Sequence, residues 1–199
     1  MRGFMLAAVI LSGGASERMG SPKALLPFQG RPFLEHLLEI TKHPSIGVRR
    51  VVLGAQAEPI TKEVPLAADE IVINKDWEQG QLSSIQAALR SLPAGTEGML
   101  VCLVDHPLVT AGLVSELIEK FQATHAPIVL PVYEGRRGHP VIFSAGVYEE
   151  LLKAPPDKGA RAVVWAHAAE VAEVLTDEEG CVLNLNDPET MQRATGRLG

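Results

Sequence analysis

Cysteine is scarce in this chain of 199 residues: Cys102 and Cys181 are the only two, and they form no C-x-x-C pair. That argues against a zinc site or a disulfide framework and points to a cytoplasmic location. No apolar run approaches the roughly 20 residues that span a bilayer. The apolar stretch 4–11 runs into Gly-Gly-Ala-Ser-Glu-Arg rather than a cleavage-site pattern, so no signal peptide and no membrane association are expected. Positive charge is in deficit, with a formal net charge of −6. Such a chain grips nucleic acid phosphates poorly, although a local basic pocket for one nucleotide stays compatible with it. There is no internal repeat, no low-complexity segment, no serine elbow, no His-Glu-x-x-His and no Cys–His pairing. His36, His43, His125 and His167 show no ligand spacing, and His36 and His43 read as surface or packing residues.

What is present is enough for one α/β domain. Hydrophobic residues make up 46% of the chain, and the length supports a sizeable core within a single domain over 1–199. Strand-like and helix-like patterns alternate. Strands are predicted at 4–11, 48–54, 70–74, 99–104, 128–132, 140–143, 171–175 and 181–185. Helices are predicted at 32–43, 83–92, from Thr110 to about 125, at 160–168, and after Asp187 as a cap. Residues 99–104 are almost uninterruptedly apolar, as in a central strand buried on both faces. Alternation of this kind predicts a Rossmann-like three-layer sandwich with a mostly parallel sheet, whose ligands sit beyond the carboxyl ends of the strands.

Three polar segments fall at those predicted strand ends. Leu11-Ser12-Gly13-Gly14-Ala15-Ser16-Glu17-Arg18-Met19-Gly20-Ser21-Pro22-Lys23 follows the first strand. Glycines let backbone N–H groups approach a ligand, and Arg18 and Lys23 add fixed positive charge, which together suit a triphosphate. The segment is neither a Walker A loop nor a G-x-G-x-x-G fingerprint. Asp105 ends the most hydrophobic strand, within Leu103-Val104-Asp105-His106-Pro107. Its carboxylate suits Mg²⁺, which offsets charge on phosphates; the same aspartate could instead serve as a turn former. His106 reads as a cleft-lining residue rather than a ligand, because imidazole suits softer metals. Asn74 to Ser84 joins a strand to a helix; Gly80 permits close approach, and Ser83 or Ser84 could cap the helix.

Three further segments carry chemistry of the same kind. Gly135-Arg136-Arg137-Gly138-His139-Pro140 and Asp157-Lys158-Gly159-Ala160-Arg161 are basic and flexible, and arginine suits phosphate; a solvated hairpin is the other reading of the first. Asn184-Leu185-Asn186-Asp187-Pro188 offers the amide oxygen of Asn186 to Mg²⁺, or is a plain turn before a capped helix.

In order along the chain, these segments resemble the nucleotidyltransferases that act on the molybdenum cofactor. The first resembles the family's L-x-G-G-x-S-x-R-M-G-x-x-K loop. Residues 103–107 are similar to a strand-end G-D-x-P with a metal-binding aspartate, with Val104 in place of glycine. Residues 74–84 resemble N-P-x-W-x-x-G-x-x-S-S, and the basic segments resemble G-x-x-G-H-P and D-x-G-A-R on the acceptor side. The resemblance implies a fold of the nucleotide-diphospho-sugar transferase type. It implies nucleotide contacts from Leu11, Ser12, Gly13, Gly14, Arg18, Lys23, Gly80, Ser83 and Ser84. It implies catalytic roles for Arg18, Lys23 and Asp105, Mg²⁺ on Asp105 and Asn186, and acceptor contacts from Arg137, His139 and Arg161.

The activity so implied moves CMP from CTP to the terminal phosphate of the molybdopterin cofactor and releases pyrophosphate. The alternatives are GTP-dependent guanylyl transfer to the same cofactor, transfer to a sugar phosphate, or a non-catalytic cofactor carrier. A molybdoenzyme or its chaperone is the partner to which such a product would pass. The base is where the motifs disagree. Ser12-Gly13-Gly14 and Asn184-Leu185-Asn186 lean to the guanylyl branch, whereas the longer matches at Trp77–Ser84 and Gly138-His139-Pro140 lean to CTP. A glycine at position 13 would enlarge the base pocket.

Overall fold

All seven residues of the first strand, β1 (Leu6–Ser12), are buried. Small and branched apolar residues without a polar interruption suit a strand covered on both faces. Alternate side chains go to opposite sides: Leu6 and Ile10 join one apolar cluster, Val9 and Leu11 the other. The computed structural model describes residues 5–14, 21–186 and 189–192.

The remaining strands are β2 (Pro27–Phe28), β3 (Arg31–Pro32), β4 (Ile46–Leu53), β5 (Ile71–Ile73), β6 (Gly98–Leu103), β7 (Ile128–Tyr133), β8 (Arg136–Arg137), β9 (Val141–Ser144) and β10 (Val171–Leu175). The helices are α1 (Phe33–Ile40), α2 (Ala57–Glu63), α3 (Gln81–Ser91), α4 (Ala111–Thr124), α5 (Tyr148–Lys153) and α6 (Arg161–Ala166). The main sheet runs β10-β7-β9-β6-β1-β4-β5, with β8 paired to β7. Its pairs are parallel except those made by β9 and β8. Buried residues of α1, α2 and α4 cluster on one face, and those of α3, α5 and α6 on the other. The sandwich is therefore three-layered, as the alternation predicts.

Local chemistry sets several boundaries. Thr110 caps α4 as expected, its hydroxyl accepting from Leu113 N–H at 3.2 Å. Gly80 precedes α3, so neither Ser83 nor Ser84 is its cap. Helices α2 and α5, with 7 and 6 residues, have no counterpart in the sequence reading; each is too short for a clear apolar stripe. The arginine segment forms the β7–β8 hairpin.

Residues 181–185 are not a strand. The chain makes a single turn at Glu179–Cys181 and then irregular backbone. Cys181 and Leu185 are both fully buried. Their apolar side chains mimic a strand pattern, but the backbone is fixed by Leu185 N–H donating to the Asp105 carbonyl at 2.7 Å. Asp187 lies outside the described residues; residues 189–192 are helical.

One contact on the α5–α6 side responds to pH. Nε2 of His167 lies 2.9 Å from Glu150 of α5, and its Nδ1 lies 2.9 Å from Glu170. The two carboxylates raise the His167 pKa above its ordinary value, with Glu150 the larger cause. A raised histidine pKa contributes stability that is full below the unfolded value near 6.5 and is lost as pH rises through the folded value. An NMR titration of His167 should give a midpoint above about 6.5. Glu150→Gln should lower that midpoint and flatten the decline of melting temperature with rising pH.

Candidate active site

Strands β1 and β6 are parallel neighbours, with Leu11 opposite Leu103, so both chains leave the sheet at the same place. The Val104 N–H donates to the Leu11 carbonyl at 3.2 Å and holds the two exits together. Between them and the start of α3 lies an open cleft of about 650 Å³. Leu11, Ser12, Gly13, Gly14, Lys23, Gly80, Ser84, Asp105 and Asn186 line it, together with Trp77, Gln81, Leu103, Val104 and Asn184. The cleft thus collects residues from four separate sequence segments.

Its electrostatic centre is Lys23. The ammonium donates to Asn186 Oδ1 and lies 3.5 Å from Asp105 Oδ2. The Lys23 and Asp105 side chains are 25% and 20% exposed, so the pair is partly desolvated yet open to a ligand. Asn186 reaches it because the Leu185–Asp105 backbone bond lays the C-terminal segment across the end of β6.

On the opposite wall Asn74 organises the start of α3. Its amide donates to Ser83 Oγ at 2.8 Å and Ser84 Oγ at 3.0 Å, while its Oδ1 accepts from Asp76 N–H at 3.0 Å. Gly80, at φ +92°, takes a conformation that favours glycine and turns the chain into the helix. Gly80, Gln81 and Ser84, at the beginning of this 11-residue helix, line the cleft, and a helix start is where an anion is favoured.

The sequence-predicted residues divide three ways. Those that line the cleft are named above. Ser83 does not line it: the hydroxyl is buried, donating to the Gly80 carbonyl at 2.8 Å and accepting from Asn74. Arg18 falls outside the described residues. The acceptor-side residues stand apart from the cleft lining. Arg137 is engaged by Glu173 of β10, at 2.9 Å from Nε and 2.8 Å from its terminal nitrogen. Arg161 is exposed at the first position of α6.

His139 packs against His106, ring centroids 5.6 Å apart, and its buried Nδ1 has no hydrogen-bond partner among the described residues. Burial first, then the neighbouring His106, pushes the His139 pKa down to about 4. His106 is likewise lowered, mainly by burial, against the opposing pull of Asp105. Trp77, Gln81, Leu103, Val104 and Asn184 line the cleft without having been singled out as site residues from the sequence, and the same holds for Asn74, which organises it. A polar residue directly after a strand, as Asn74 is, was the available signal. Gly54, directly after β4, is a further requirement: a Cβ there would overlap the Gly13 carbonyl and lie 2.7 Å from Trp77 Cβ.

Position 13 is not the open space that the sequence suggested. A Cβ on Gly13 would lie 2.8 Å from Ser84 Oγ, so the glycine makes room for a hydroxyl held by Asn74. Gly13→Ala should displace that hydroxyl and cost about 0.5–1.5 kcal/mol, the scale of one hydrogen bond. In a Ser84→Ala background the cost should largely vanish. Denaturant unfolding of the four variants in this cycle measures the coupling.

Parallel strands ending in a glycine-rich exit, a lysine and a carboxylate define an enzyme of the nucleotide-transferring class. Residues 8–171 match the MobA-like NTP transferase domain, and the chain belongs to that family. It is 32% identical over 169 residues to nicotine blue oxidoreductase of Paenarthrobacter nicotinovorans, covering 78% of this chain and 79% of that one. It is 36% identical over 151 residues to a probable molybdenum cofactor guanylyltransferase of Mycobacterium tuberculosis strain H37Rv, covering 74% and 69%. The crystal structure of Rv0371c from M. tuberculosis H37Rv superposes with a TM-score of 0.85 at 27% identity, over 96% of this chain and 98% of that one.

Proposed function

We propose that this enzyme transfers GMP from GTP to the terminal phosphate of the molybdopterin cofactor, with release of pyrophosphate. The observation that carries the transfer reading is Lys23 held between Asp105 and Asn186 beside the glycine loop. A cation between two oxygen donors is poised to exchange partners with phosphate oxygens. An acceptor phosphate is already anionic, so it needs no protein base; its oxygen attacks the α-phosphorus in line and pyrophosphate leaves. The chain's own part is positioning and charge stabilisation. The loop amides and the start of α3 hold the triphosphate. Lys23 turns from Asp105 and Asn186 to the phosphates.

The donor set fits a divalent cation. The Asp105 carboxylate and Asn186 amide oxygen already converge on one positive charge, and Mg²⁺ takes oxygen ligands of this kind. Among the described residues no three His, Cys, Asp or Glu side chains converge, so phosphate oxygens and water would complete the shell. When bound, the cation supplies charge neutralisation on the phosphates and the leaving group. No helix among the described residues is long and apolar enough to cross a membrane.

The choice of base rests on the guanylyltransferase name of relatives 30–36% identical to this chain. CTP is the second reading, favoured by the segments Trp77–Ser84 and Gly138-His139-Pro140. The oxidoreductase name of the P. nicotinovorans relative stands for a different chemistry, and the Lys23–Asp105 pair favours phosphoryl substrates over it. The test is pyrophosphate release with GTP, CTP, ATP or UTP, molybdopterin and a divalent ion. GTP should give the fastest turnover; faster turnover with CTP would shift the base assignment alone, and no release with any nucleotide would defeat the transferase reading.

Two variants probe the roles. Asp105→Asn should keep its circular dichroism spectrum and lose about 100-fold or more in metal-dependent turnover. Lys23→Ala should weaken nucleotide binding by about tenfold, or about 1.4 kcal/mol, read by calorimetric titration.

A further inference from the structure

A nitrogen beside Asp105 has no role in the transfer scheme. The His106 side chain is only 7% exposed. Its Nδ1 lies 3.2 Å from the Gly180 carbonyl oxygen. A carbonyl can only accept, so Nδ1 carries the hydrogen and Nε2 of the neutral ring is a bare lone pair. Nε2 makes no hydrogen bond among the described residues and lies 4.0 Å from Asp105 Oδ1. The ring is also held on its other sides. Gly180 is pressed against Leu108, where a Cβ would lie 2.8 Å from the Leu108 Cβ, so the carbonyl cannot shift easily. The His139 ring packs at 52° to it.

One ring nitrogen tied to a backbone carbonyl and the other bare toward a carboxylate is the arrangement by which proteins orient a metal-ligating histidine. Adjacent donors about 2.1 Å from one six-coordinate ion stand about 3.0 Å apart, so the 4.0 Å gap between Nε2 and Oδ1 has to close by about 1 Å on binding, a movement within reach of the Asp105 side chain. We propose that His106 Nε2 joins Asp105 Oδ1 in holding the divalent cation, and that this nitrogen biases the site toward Mn²⁺-class ions over Mg²⁺. The inference rests on the assignment of Asp105 as a metal-binding residue. Its chemical basis is that Mg²⁺ strongly prefers oxygen donors, whereas imidazole binds later divalent ions better. His106 is not among the residues that line the cleft, and the position of its Nε2 4.0 Å from Asp105 replaces the sequence-based view of it as a lining residue.

The test is Mn²⁺ alone added to the wild-type protein, read by pulsed electron paramagnetic resonance and by calorimetry. The bound ion should show modulation from a directly coordinated ¹⁴N. That pattern should change to ¹⁵N in protein labelled with [¹⁵N]histidine, vanish in His106→Gln and persist in His139→Gln. The ratio of Mn²⁺ to Mg²⁺ affinity should fall about tenfold in His106→Gln. The wild-type spectrum serves as a test even if that variant folds poorly. Bound Mn²⁺ without histidine nitrogen, lost in Asp105→Asn, would overturn the role of His106 and leave the Asp105 assignment standing. Mn²⁺ bound equally by wild type and Asp105→Asn, or by neither, would overturn both.

Discussion

The parallel pairing of β1 with β6 is the constraint on which the rest of the molecule depends. Both strands are central and apolar, so burial fixes their register and places their carboxyl ends side by side. An exit loop follows each of them. Each is left to present what the sheet cannot: glycines and a lysine after β1, a carboxylate after β6. The cleft follows from two strands stopping together.

The second requirement is that distant segments be brought to that point. Lys23 and Asn186 are 163 positions apart in sequence and share a hydrogen bond. The join is made by backbone rather than by charge, through Leu185 N–H on the Asp105 carbonyl and by the burial of Cys181 and Leu185. On the other side Asn74 ties the end of β5 to the first turn of α3, using its full amide. A buried amide with both ends satisfied resists displacement, since an unmet partner costs more than a bond contributes. Among the described residues, hydrogen bonds tie the cleft together where strands and helix meet, and Lys23 brings positive charge to its lining. That suits an enzyme whose work is positioning.

Short-range pattern accounts for what could be read in advance. The uninterrupted run at 99–104, the alternation of strand and helix signals, and Thr110 before an apolar helix are all local statements, and β6 and α4 follow them within a residue. The segment 181–185 misled because burial against a loop and burial in a sheet select the same side chains. The ion pair of Arg137 could not be read in advance, because its partner Glu173 lies on a strand 36 positions away. Ser83 looked like a ligand-facing hydroxyl until Asn74 and the Gly80 carbonyl turned it inward.

The sequence by itself determined the class of fold, the glycine-rich exit from the first strand and the acid at the end of the central one, because periodicity and strand ends are written within a few residues. Only the tertiary structure decided that β9 runs against its neighbours, that Ser84 fills the space left by Gly13, that Asn186 meets Lys23, and that His106 turns a bare nitrogen toward Asp105. Each of these depends on which groups meet across long loops. That is settled by packing and by hydrogen-bond satisfaction over the whole sheet, and no window of sequence contains it.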